Sequence, residues 1–251
     1  MGSGIIFTMM DSADSSLITL NADPEHGGVR FAVIAALIVA FIACFALLAT
    51  IIRSFQDSII SDFWVSLSCA GALPLAIGAA GLSEYFAKRY WLSGRSISLS
   101  SEGMLVADNP GAEVFYDWNG FMALTKWYFQ LSGYRRGGRE RRIPSKWYCL
   151  CCQVQQDEHR FVAYTYSPKE KAESFLEGSR VEELRPGEFE SSSLFRRWFS
   201  PPNRPEIPTK ILAGKQGHFW LAEKRRWSQG MEFETSDFQA LIDELDRRIE
   251  D

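Results

Sequence analysis

The chain has 251 residues and 28.5 kDa, room for one ordinary domain or a small domain with appendages. Its composition, 46% hydrophobic, 14% aromatic and 23% charged, excludes a disordered or collagen-like chain, and five Cys are too few for a disulfide scaffold. Residues 1–82 carry two basic groups, Arg30 and Arg53, against six acidic ones, whereas the rest balances 25 against 25; the basic excess of a general nucleic-acid binder is missing.

Residues 1–29 read as an acidic, flexible tail. The first 28 contain no Lys or Arg, so they lack the basic opening of a cleaved signal peptide, and Ile6 stands where an N-myristoyl signal needs Ser or Thr. Phe31 to Ile52 is a run of 22 uncharged residues. At about 1.5 Å per residue, a helix of that length crosses the roughly 30 Å hydrocarbon layer. Trp64 to Leu82 offers a second uncharged run of 19 residues, with Pro74 expected to kink it. Residues 30–92 therefore predict two transmembrane helices, about 31–52 and 64–82; a pair of buried core helices is the competing reading. Neither run holds Asp, Glu, Lys, Arg or His, which weakens a transporter reading.

Small residues recur every four positions, as Ala32, Ala36, Ala40 and Cys44 in the first run and Ser66, Ala70, Pro74 and Gly78 in the second. Such stripes allow the close backbone approach by which helices associate in lipid, although Ala and Gly are common in membrane helices anyway. The link from Arg53 to Phe63 holds one Arg, while Arg30, Lys88, Arg89 and Arg95 flank the outer ends. The positive-inside bias then puts both termini in the cytoplasm, with Phe63, Trp64, Tyr85, Phe86, Tyr90 and Trp91 as aromatic belts.

Beyond the second run the hydrophobic period becomes alternating. Strands are predicted at Ser96 to Ser100, Met104 to Ala107, Glu113 to Trp118, Gly120 to Leu131, Trp147 to Gln155 and Arg160 to Tyr166, with turns at Ser101-Glu102-Gly103, Asp108-Asn109-Pro110-Gly111 and Gln156 to His159. Ser167-Pro168-Lys169-Glu170 then opens a helix that runs to about Glu177.

Ile97 to Gly103, Tyr116-Asp117-Trp118 with Phe121, Arg142 to Lys146 before an aromatic strand, and the Ser167 to Leu176 helix together resemble the bacterial pleckstrin-homology-like, YcxB-like membrane proteins. The resemblance covers roughly residues 30–178. It implies a membrane-helical hairpin in a bacterial inner membrane, followed by a cytoplasmic α+β domain: an antiparallel pleckstrin-homology-like sheet or barrel over 96–178, closed by an amphipathic helix. It transfers no catalytic residues, and the last 73 residues depart from it. Of those, 179–209 read as a Pro-rich linker or insertion. Residues 210–251 supply short strands at Lys210 to Leu212, His218 to Lys224 and Met231 to Glu234. They end in a helix capped by Ser236, with Phe238, Leu241, Ile242, Leu245 and Ile249 on one face. Periodicity leaves open whether this completes the first sheet or docks on it as a second module.

Cys149-Leu150-Cys151-Cys152 is the most unusual local feature. In a strand, Cys149 and Cys151 share one face and Cys152 takes the other; with His159 across the hairpin, at most three metal ligands are available, short of a structural zinc set. Buried reduced thiols are therefore expected, and no metal or cofactor. Arg135, Arg136, Arg139, Arg141 and Arg142 form a basic loop fit for anionic headgroups or an acidic partner. His26, His159 and His218 are isolated, and no nucleophile–base pair or phosphate-binding loop is discernible. The chain is expected to be a non-catalytic membrane-anchored accessory or adaptor subunit. Its expected partners are the lipid bilayer and a membrane protein or another copy of itself, with no nucleic acid. The alternatives are an anionic-lipid-responsive membrane sensor and an enzyme or metal/redox protein using the cysteine strand.

Overall fold

The computed structural model of the chain describes residues 18–24, 26–54, 63–109, 112–132, 140, 142–177, 181–185 and 207–249. The chain divides into two compact units, a helical one over Asp23–Ser93 and an α+β one formed by the rest.

The helical unit is a hairpin of α1 (Gly27–Arg53) and α2 (Trp64–Tyr90), each 27 residues and each long and apolar enough to cross a membrane. A helix of that length extends for about 40 Å. His26 caps α1: its Nδ1 accepts from Gly28 N at 3.2 Å, and its Nε2 lies 2.9 Å from the Trp91 carbonyl. A carbonyl can only accept and an amide can only donate, so in this pairing Nε2 is the donor and Nδ1 the acceptor. An isolated histidine thus joins the start of α1 to the end of α2. At the other end, the Arg53 guanidinium lies 3.6 Å over the Trp64 ring.

The helices pack through small residues, but the stripe differs in α2 from the one expected. Ala32, Ala36, Ala40 and Cys44 are half-buried and Ala49 is buried on α1, yet α2 buries Ser68, Ala72, Ala76 and Ala80, leaving Ser66, Ala70, Pro74 and Gly78 exposed. Two residues along a helix is about 200° of rotation, so the expected stripe points away from α1. Both stripes are small at every fourth position. The buried one carries no ring, whereas Pro74 places a pyrrolidine on the other and removes a helix amide. Gly71 adds to the close fit, since a Cβ there would come within 2.9 Å of Leu48 Cδ1.

In the α+β unit the strands form two sheets. The first is a meander of β1 (Ile18–Asn21), β2 (Ser96–Leu99), β3 (Gly103–Asn109) and β4 (Ala112–Asp117), paired antiparallel in that order. The second has at its centre β5 (Ala123–Gln130), β6 (Tyr148–Gln156) and β7 (His159–Ser167), again antiparallel. After β7 come helix α3 (Lys169–Leu176), strand β8 (Val181–Glu183), the short helix α4 (Thr209–Leu212), helix α5 (Gly217–Gln229), strand β9 (Met231–Glu232) and helix α6 (Thr235–Ile249). Strand β8 adds parallel to β5 and β9 parallel to β7 at the two edges. Five residues, 118–122, carry the chain from one sheet to the other.

One core lies between the inner faces of the two sheets. It joins Ile97, Met104 and Tyr116 to Leu150, Cys152 and Val154, and is closed by Phe238, Leu241, Ile242 and Leu245 of α6 with Phe175 of α3. A second core covers the other face of the second sheet, where Trp127, Phe129, Cys149 and Cys151 meet Trp220 and Ala222 of α5. Central β6 is therefore buried on both faces, which explains its unbroken apolar half, Tyr148 to Cys152.

Four expectations change. The expected sheet or barrel resolves into two sheets, linked by residues 118–122. Residues 18–21, assigned to a flexible tail, form an edge strand that buries Leu20. The segments Lys210 to Leu212 and His218 to Lys224, expected as strands, are helical. Helix α5 hid its period because its buried face mixes Trp220 and Ala222 with the polar Glu223 and Arg226. Finally, the Ser167 hydroxyl bonds to the Pro168 carbonyl instead of capping α3.

Candidate functional site

The cysteine strand leads to a buried charge cluster. Cys149 and Cys151 point from β6 toward α5 with their sulfurs 3.5 Å apart, while Cys152 enters the opposite core. Burial pushes the Cys152 thiol up to about 12 and holds the Cys151 thiol well above its usual range, helped by the Cys149 contact. These are protonated, inert thiols. The β6–β7 register pairs Cys149 with Tyr166 and Gln156 with His159, so His159 sits five strand positions beyond Cys151, about 17 Å at ~3.4 Å per residue. Cys149, Cys151 and His159 are thus not assembled, because the hairpin turn carries the imidazole to the far end of the strand. Among the described residues no group of three or more His, Cys, Asp or Glu is placed to hold a metal ion.

Beside the thiols lies Arg226 of α5, 3% exposed. Its Nε donates to Glu223 Oε2 at 2.8 Å; its Nη2 donates to Glu223 Oε1 at 3.0 Å and to Glu140 Oε1 at 2.9 Å. The guanidinium also lies 4.8 Å from the Tyr164 ring and 5.2 Å from Phe129. Trp127 Nε1 donates to Glu223 Oε2 at 3.1 Å, tying the cluster to β5. Burial opposes the Arg226 charge, but Cys149, Glu223, Tyr166 and Glu140 around it together hold it well above its ordinary value. The cluster fixes α5 to the sheet. Sequence reasoning missed it, although a Glu and an Arg three residues apart, beside Trp220, are a readable sign of a charged pair on a packed face.

Of the basic loop, Arg135, Arg136, Arg139 and Arg141 lie outside the described residues, and Arg142 is exposed. Glu140, between Arg139 and Arg141 in the sequence, is buried and bound to Arg226 of α5. Arg95, expected as a membrane-flanking charge, is committed within the α+β unit. Its Nε donates to Asp108 at 2.8 Å, and its Nη atoms donate to the Gly230 and Gln229 carbonyls at 3.1 and 2.7 Å, capping the end of α5. Glu182 and Glu183 accept from Gln216 and Arg185, respectively.

Three turns at one end of the unit are bonded together. The Trp118 indole donates to the Ser100 carbonyl at 2.9 Å, and its amide donates to Glu102 O at 3.2 Å. The Gln156 side chain brackets Asp117, accepting from its amide and donating to its carbonyl, both at 2.9 Å. Asp117 Oδ1 accepts from Asn119 N at 2.9 Å, an Asx turn. A Cβ on Gly120 would come within 2.3 Å of Gln156 Nε2, so a side chain there would have to push the Gln156 amide away from Asp117.

No family model, curated protein or solved structure matches the chain.

Proposed function

We propose that the protein is a membrane-anchored accessory or adaptor subunit that presents a pleckstrin-homology-like α+β module to a protein partner. The observation that carries this reading is the position of the apolar hairpin in the chain. It is spliced between β1 and β2, which pair with each other from Asn21↔Ser96 to Ile18↔Leu99, and five residues connect it on each side. A hairpin long and apolar enough to cross a bilayer would therefore hold the α+β unit by two short tethers. The loss of freedom on tethering raises the effective concentration of the module for any partner in the same membrane.

The charged groups buried in the α+β unit support this reading, because they hold elements together. Arg226 clamps α5 through Glu140 and Glu223, and Lys126 Nζ of β5 holds Asp246 of α6 at 2.7 Å. Basic flanks and the resemblance favour a bacterial inner membrane with both termini cytoplasmic.

Mild-detergent purification followed by mass spectrometry tests the proposal. A stoichiometric protein partner or a homo-oligomer that survives high salt is expected, as apolar contacts are not screened. A monodisperse monomer carrying neither would overturn it. Release from membranes by alkaline carbonate, or a periplasmic reporter after Asp251, would overturn the anchoring and the topology respectively.

A further inference from the structure

The most exposed large apolar side chain described in the α+β unit is Phe121, at 90% exposure, and it belongs to the bonded three-turn end. An exposed phenyl ring on a loose loop would carry little information. This one follows Gly120 in a corner held by Trp118, Gln156 and the Asp117 Asx turn, so its ring is offered to solvent on a fixed backbone. Such a display lowers the entropy lost on docking, as it does for aromatic anchors of protein interfaces.

Charge selects the partner. The three turns expose Glu102, Asp117, Asp157 and Glu158, which outnumber the guanidinium groups of Arg160 and Arg248 at the same end. An anionic lipid surface would be repelled; a cationic protein surface would be attracted. The splice of the apolar hairpin is at the opposite end of the first sheet, where Asn21 pairs with Ser96 and Ser96 with Ala107, whereas Gly103 and Asp117 pair at the Phe121 end.

We infer that the Phe121 end is the docking surface for a protein partner that offers an apolar socket rimmed by Lys or Arg. This rests on the adaptor reading and adds the surface and the chemistry of the partner.

The test uses the full chain in nanodiscs with a fluorescent peptide of alternating Leu and Arg as the probe. The peptide is expected to bind, to weaken as salt rises, and to bind roughly tenfold or more weakly to Phe121→Ser, since burying a phenyl ring supports at least that ratio. Asp157→Asn with Glu158→Gln is expected to weaken it also, without moving the melting temperature. No binding by the parent chain, or equal binding by Phe121→Ser, overturns the inference. So does a benzophenone amino acid at position 121 that cross-links to phosphatidylglycerol instead of the peptide. The adaptor reading fails separately: a partner that co-purifies equally with Phe121→Ser leaves that reading standing and sinks this one.

Discussion

Replacing Arg226 with Met isolates the buried charge cluster. Methionine keeps much of the length and the contacts with Phe129 and Tyr164, but removes the three bonds to Glu140 and Glu223. Breaking a buried ion pair from one side costs about 3–5 kcal/mol, because carboxylates are left in a dry site without their counter-charge. That is about a fifth or more of the roughly 5–15 kcal/mol by which domains are usually stable. With a urea slope of about 2 kcal/mol per M, the midpoint should fall by about 2 M. Urea titration of the full chain in mild detergent, followed by tryptophan fluorescence, reads this directly, since Trp127 bonds to Glu223. The pH dependence has a definite sign. In Arg226→Met, burial raises the folded-state carboxyl pKa above the unfolded value of about 4.3. The contribution of those carboxyls is then fully present below that value and lost as pH rises through the raised one, so the deficit against the parent should be largest at pH 7–8 and shrink on acidification. Adding Glu140→Leu and Glu223→Gln, which keeps an acceptor for Trp127, should restore most of the loss. A deficit under about 1 kcal/mol at pH 7.5, or one that grows on acidification, would refute the reasoning.

Leu245→Ala, in the core between α6 and the sheets, should cost about 2–5 kcal/mol and be read as a lower melting temperature; an unchanged one would mean that α6 does not close that core. A chain beginning at Asp23 loses β1 and the burial of Leu20, so amide exchange in β2 should quicken while β6 stays protected; unchanged β2 exchange would remove β1 from the sheet. At pH 8, iodoacetamide should leave Cys149, Cys151 and Cys152 unmodified until urea unfolds the chain, as measured by mass spectrometry; modification of Cys152 in native protein would contradict its raised thiol.

The sequence by itself determined what could be read from local periodicity. Two runs without a charge can only be long apolar helices, and the alternation from Ser96 to Tyr166 fixes which residues of β2 to β7 share a face, because side chains in a strand alternate strictly. The same alternation sorted Cys149 and Cys151 from Cys152. The amphipathic face of α6 was legible for a similar reason, its apolar residues all meeting one core.

Tertiary structure alone decided what depends on partners distant in the chain. Strand β1 is four residues long, and it exists because β2, 75 positions on at the Asn21–Ser96 pairing and 81 at the Ile18–Leu99 pairing, lies beside it. The helix α5 carries Glu223 and Arg226 on its buried face, a choice that burial forbids for each alone and allows once Glu140 arrives from another segment. Which small stripe of α2 meets α1, and that Gln156 reaches Asp117 across two sheets to hold Phe121 in solvent, follow from packing geometry that no local window contains.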